Sequence, residues 1–215
     1  MNEVLIILLS VLLIFVIIKL KYIKKNSKIF IIGFNKTGTT SLHNFFQLNN
    51  IKSIHFDNCR LARRIKKNFN ENKQLLKDYP KYIVFSDMED YKKLNYAHVE
   101  YFKELYYQYP DSKFILNIRN IDNWIKSRNN HLNGFYAKEL CKLLQIDSKQ
   151  LNDKWRFDYH NHINNVIIFF KNKKNKLLIF DIEKDNINNI INFLPEYYLN
   201  SKYYFHLNKS KKNKY

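Results

Sequence analysis

The chain has 215 residues, 46% hydrophobic and 16% aromatic, which suits one globular domain with a sizeable core and excludes a disordered chain. Its 37 Lys and Arg against 19 Asp and Glu leave a net charge of +18, yet the lysines are spread along the whole chain and form no compact block. That distribution argues against specific nucleic-acid recognition, while still favouring an anionic acceptor or an acidic membrane surface. The two cysteines, Cys59 and Cys141, have neither C-x-x-C nor metal-ligand spacing and read as packing thiols, with no disulfide framework.

Residues 4–18 read VLIILLSVLLIFVII, an uncharged apolar run that Leu20, Tyr22 and Ile23 extend between snorkelling lysines. No basic residues precede the run and no small-residue cleavage site follows it, as a cleaved signal peptide would require. The pattern predicts an uncleaved single-pass transmembrane anchor over residues 1–23, with a buried core helix as the alternative. A short basic stem follows at 24–27. Positive charge after the anchor places the body in the cytosol. Asn35-Lys36-Thr37 is also an N-x-T glycan acceptor, and a glycan there would fall inside a loop that matters. A Golgi or ER lumenal body is the alternative orientation.

From Lys28 onward strand-length apolar runs alternate with helical patterns. KIFIIGF (28–34) predicts the first strand, and Leu42, Phe45 and Phe46 form a helical stripe after it. IKSIHF (51–56) predicts a second strand, followed by a basic, mostly exposed helix over 60–79. KYIVF (81–85) and KFILNI (113–118) are a third and a fourth, with helices expected around 97–107 and from about Asp122. A long helix is expected over 151–171, then a fifth strand, KLLIF (176–180), and a helix near 187–193. This alternation predicts an α/β fold, a three-layer sandwich around a mainly parallel sheet of about five strands. The domain so defined runs over 28–209, and 210–215 read as a basic tail.

The stretch IIGFNKTGTTSL (31–42) joins the first strand to its helix. It keeps the glycine spacing of a triphosphate loop, G-x-x-x-x-G-K-[ST], in Gly33 and Gly38. Thr39, however, stands where that loop has lysine, and the lysine comes earlier, as Lys36. Two of the chain's three glycines lie here, as a backbone passing close to phosphate requires. The helix N-terminus favours an anion, and Thr37, Thr39, Thr40 and Ser41 add hydroxyl donors. Farther on, KFILNIRNIDNWIKS ends its strand at Arg119 and places Ser127 eight residues later. There Arg119 can fork onto a phosphate while Ser127 donates from the second helical turn.

KTGTTSL (36–42) with Arg119 and Ser127 resembles the sulfotransferases that use 3′-phosphoadenylyl sulfate (PAPS) as donor. The likeness extends loosely over 28–209 and is specific at these two motifs. It implies a P-loop NTPase-like fold, no required metal, and 3′,5′-ADP (PAP) as product. It implies further that Asn35 to Ser41 bind the 5′-phosphosulfate, that Lys36 faces the oxygen bridging phosphorus and sulfur, and that Arg119 and Ser127 hold the 3′-phosphate. The catalytic base of that family, a His or carboxylate beyond the third strand, maps onto FSDMED (85–90). Asp87 is the matching residue and the first carboxylate after the strand; Glu89 is the second choice, and Met88-Glu89 depart from the family's Asp-x-Pro. His55 could line the acceptor pocket. His160 and His162, two apart on a helix, make a poor metal pair. Trp124 and Trp155 read as packing residues, and His206 with Asn208 match the family's closing segment. The acceptor would be a hydroxyl or amine of a glycan, a lipid or a small molecule. A nucleotide or small-molecule kinase and a noncatalytic, membrane-anchored remnant are the competing readings.

Overall fold

Five apolar runs pair into a single parallel sheet in the computed structural model, which describes residues 5–15, 27–205 and 207. The strands are β1 (Ile29–Ile31), β2 (Ser53–His55), β3 (Val84–Ser86), β6 (Lys113–Ile118) and β7 (Leu177–Asp181), in the order β2-β3-β1-β6-β7. Between β3 and β6 a small antiparallel ladder pairs β4 (Glu89–Asp90) with β5 (Asn95–Tyr96). Residues 5–15 form α1. The domain's helices are α2 (Thr39–Leu48), α3 (Arg60–Asn70), α4 (Ala97–Glu100), α5 (Phe102–Gln108), α6 (Ile121–Asn129), α7 (Phe135–Leu144), α8 (Ser148–Phe170) and α9 (Asn188–Phe193).

Side chains on a strand alternate between faces, and β1 shows what each face buries. Ile29 and Ile31 join Leu42, Phe45 and Phe46 of α2 and Ile190 of α9 on one side. Phe30 and Ile32 join Leu61 and Ile65 of α3, Phe102 and Leu105 of α5, and Val166 and Phe170 of α8 on the other. Both faces are covered, as an all-parallel sheet requires. This is a three-layer α/β arrangement that fits a P-loop-like sandwich.

Several boundaries differ from the expected ones. The helix predicted over 60–79 stops at Asn70, where Glu71 and Asn72 leave the helix and Asn72 takes a φ of 52°. The helix expected around 97–107 is two, interrupted at Tyr101. An additional helix, α7, follows its N-cap Gly134, whose φ is 83°. Cys59 and Cys141 are both free thiols. Among the described residues no helix is long and apolar enough to cross a membrane. The 11 helical residues of α1 span only ~16 Å against a ~30 Å hydrocarbon layer. The rest of the expected anchor (1–4 and 16–23), most of the stem, His206, Asn208 and the tail lie outside the described residues.

Candidate active site

Parallel strands bring their C-terminal ends to one edge, so the segments leaving β1, β3, β6 and β7 converge there. They deliver the Gly33–Gly38 loop, Asp87, Arg119 and the Ile182-Glu183 turn. From β1 the chain runs out to β2 and back to β3 on one side, then crosses past β1 to β6 and β7 on the other, which opens a crevice at the switch point. A cavity of about 880 Å³ occupies it, with Lys36, Gly38, Thr39, Thr40, Arg119 and Ser127 among its lining residues and Asp87, His55 and Tyr136 also in its wall.

The loop is held from beneath. Gly33 N–H donates to Asn117 Oδ1 (2.8 Å), and Asn117 Nδ2 donates to the Thr37 carbonyl (2.9 Å) and hydroxyl (2.6 Å). Trp124 Nε1 donates to the Asn35 carbonyl (2.8 Å), and His162 Nε2 lies 2.6 Å from the Ile32 carbonyl. Gly33 is therefore required for packing rather than for phosphate: a Cβ there would lie 2.0 Å from the Asn117 carbonyl oxygen. Gly38, with a φ of 82°, is the glycine whose backbone conformation opens α2.

The loop residues divide into two sets. Asn35 is buried and its Nδ2 donates to Glu89 Oε1 (2.7 Å); the buried Thr37 hydroxyl donates to the Phe34 carbonyl. Both side chains hold the loop's shape. Lys36, Thr39, Thr40 and Ser41 line the cavity, and Asn35 also forms part of its wall. Ser41 Oγ also accepts from Leu207 N–H (3.0 Å), so the closing segment reaches the loop. Burial lowers the pKa of the Lys36 ammonium, opposed by the charge of Asp87 and reinforced by that of Arg119.

Arg119 and Ser127 share the cavity, as their spacing predicted. Arg119 Nε donates to Glu183 Oε1 (2.7 Å), and Nη1 reaches the Lys36 carbonyl (3.4 Å). Glu183 carries no sequence signal of its own; only the fold brings β7 beside β6.

Asp87 sits just past β3 with a φ of 52° and a side chain 13% exposed. Burial pushes its carboxyl up to about 7, against the pull of Arg128 and Lys36. Its Oδ2 lies 3.4 Å from His55 Nε2, a contact that resembles an ion pair. Burial holds His55 down at about 4, however, so the ring is neutral near pH 7. His55 Nδ1 lies 3.1 Å from Ser86 Oγ, and its Nε2 sits between Asp87 Oδ2 and Thr40 Oγ1 (3.5 Å). Of the two, Asp87 is the better-matched base near neutral pH.

Behind Asp87, Glu89 is buried and pushed up to about 8 by burial and by the Asp87 charge. It accepts from Tyr136 OH (3.4 Å), which itself accepts from Arg128 Nη2 (2.5 Å). The fully buried Arg128 guanidinium packs over Trp124 (4.7 Å) and Trp155 (4.5 Å). Both tryptophans are packing residues, with Trp124 also bonded to the loop. His162 is buried and His160 exposed, and among the described residues no group of three His, Cys, Asp or Glu could hold a metal.

The model of the sulfotransferase domain family matches residues 28–176, most of the chain. The protein belongs to the sulfotransferase family. The match takes in the loop, Asp87, Arg119 and Ser127 and stops just before β7. No curated protein matches this sulfotransferase-family chain.

Proposed function

We propose that the protein transfers a sulfuryl group from PAPS to a hydroxyl or amine of an acceptor (a glycan, lipid or small molecule). The observation that carries this reading is the meeting of Lys36, Arg119 and Ser127 in one cavity with Asp87 in the same wall. The cavity is of ligand-binding size. The positive φ of Gly38 and the start of α2 suit a phosphate, through backbone N–H groups and the helix dipole. In this reading Thr39, Thr40 and Ser41 hold the 5′-phosphate end, and Arg119 with Ser127 holds the 3′-phosphate. Bound donor supplies an electrophilic sulfur. Asp87 takes the acceptor's proton as the new bond to sulfur forms, and Lys36 balances the charge left on the phosphate as its bond to sulfur breaks. The kinase reading is disfavoured by Thr39, which stands where a triphosphate loop has its lysine.

Calorimetric titration with 3′,5′-ADP, 5′-AMP and ATP-Mg tests the assignment. A sulfotransferase binds 3′,5′-ADP tightly; preference for ATP-Mg would make the protein a kinase, and binding of none a remnant. Arg119→Ala should weaken 3′,5′-ADP by about tenfold or more, the loss of a charged hydrogen bond of roughly 1.5–3 kcal/mol, and hardly affect 5′-AMP. Equal losses would remove Arg119 from the 3′-phosphate.

We also propose that residues 1–23 anchor the protein in a membrane with its body in the cytosol. The support is the apolar run, whose side chains in α1 are exposed, and the lysines after it. Protease added outside sealed microsomes should digest the body. Protection with an endoglycosidase-sensitive mass would place it in the lumen.

A further inference from the structure

Arg119 does not stand ready for a phosphate, because a carboxylate already holds it. Glu183 Oε1 accepts from Arg119 Nε (2.7 Å) and from Asn123 Nδ2 (3.1 Å). Oε2 accepts from Asn123 Nδ2 (3.2 Å) and from Asn120 N–H (3.3 Å). The turn is braced in its own right, since Glu183 N–H donates to Asp181 Oδ1 (2.9 Å). Against the desolvation that would raise it, these bonds keep the Glu183 carboxyl below its ordinary pKa, so it is ionised at neutral pH. The side chain is 28% exposed and lines the same cavity as Ser127.

We infer that Glu183 is a resident counter-anion of the 3′-phosphate subsite, one that competes with the donor's phosphate for Arg119 and thereby sets selectivity among nucleotides. The inference rests on the PAPS reading and goes beyond it. A phosphate reaching Arg119 must share the guanidinium with a carboxylate or displace it, and two anions on one cation repel. A nucleotide that ends in a 3′-hydroxyl meets no such opposition. Glu183 therefore narrows the preference for a 3′-phosphate that Arg119 and Ser127 would otherwise give. When the carboxylate yields, Asn123 and the Asn120 N–H are released with Arg119, so the donors that satisfy Glu183 are the ones a phosphate can take over.

The test compares 3′,5′-ADP and 5′-AMP affinities of the full chain with those of Glu183→Gln, which removes the charge and keeps the shape. The variant should bind 3′,5′-ADP on the order of tenfold more tightly and 5′-AMP within about twofold of the parent, and the gain should shrink as salt screens the site. Glu183→Ala, measured alongside, removes the same charge without the hydrogen bonds and should move the ratio the same way. If both variants leave the 3′,5′-ADP to 5′-AMP ratio unchanged or lower it, Glu183 merely braces Arg119 and the inference is overturned alone. A parent chain that binds neither nucleotide would overturn the donor reading and this inference with it.

Discussion

Asp87 and Lys36 both occupy left-handed backbone, with φ of 52° and 66°, conformations that a β-carbon makes unfavourable. At Lys36 this turns the loop so that its side chain lines the cavity while Asn35 and Thr37 on either side are tied inward. If the lysine stabilises charge on the departing phosphate, Lys36→Ala lowers turnover about a hundredfold or more while donor affinity falls less. Adding Thr39→Lys to that variant, which rebuilds the triphosphate pattern, should not restore transfer; an active double variant would show that the lysine's placement is immaterial. For Asp87 the relevant form is the carboxylate. Its pKa is raised to about 7, so the base is mostly protonated below that pH and turnover should climb as pH rises through it. Steady-state rates from pH 5.5 to 8.5 check the sign. Asp87→Asn should abolish transfer and keep 3′,5′-ADP binding, and a residual rate with the parent's pH profile would point to another base.

The strand–loop–helix of β1 and α2 is the element most legible in the sequence, because an apolar run, a glycine pair and an amphipathic stripe all lie within twenty residues. The five strands were legible for the same local reason. Hidden were the contacts that shape the loop, since Asn117 is 84 residues from Gly33 and Glu89 is 54 from Asn35. Helix α7 was hidden for another reason: Asn133-Gly134 marks a turn before it, but its buried face is only Tyr136, Ala137 and Leu140, too short a stripe to stand out. Glu183 was not readable as a site residue, because nothing local to β7 shows that it ends beside Arg119. The loop's dependence on β6 is testable. Gly33→Ala puts a Cβ 2.0 Å from a backbone oxygen and 2.4 Å from Asn117 Oδ1, so the strands must separate. Overpacking of this kind should cost roughly 1–3 kcal/mol, read from the urea midpoint, and donor binding should weaken with it. Wild-type stability in Gly33→Ala would mean that the strands give freely.

At the scale of the whole molecule, the buried titratable groups predict a stability maximum near neutral pH. Five histidines, His43, His55, His98, His131 and His162, have pKa values pushed down to between about 3 and about 4, mainly by burial. Below pH 6.5 the unfolded chain binds protons there that the fold refuses, so stability is lost as pH falls. Asp87 and Glu89 act in the opposite sense. Their pKa values are raised to about 7 and about 8, and from above pH 4 to about 8 the fold holds protons that the unfolded chain has released. Their contribution therefore declines as pH rises across that window. Below pH 6.5 the five histidines outnumber the two carboxyls and the acid slope wins; above it the two carboxyls dominate and the slope reverses. The melting temperature should peak between about pH 6 and 7 and fall by several degrees toward pH 8.5, given the ~2–4 °C per kcal/mol expected for a chain of this size. Glu89→Gln, neutral at every pH, removes part of the alkaline decline and leaves the acid limb in place. A melting temperature that climbs steadily from pH 6.5 to 8.5, or a Glu89→Gln profile parallel to the parent's, would show that Glu89 is ionised beneath the loop, held there by the Arg128 charge.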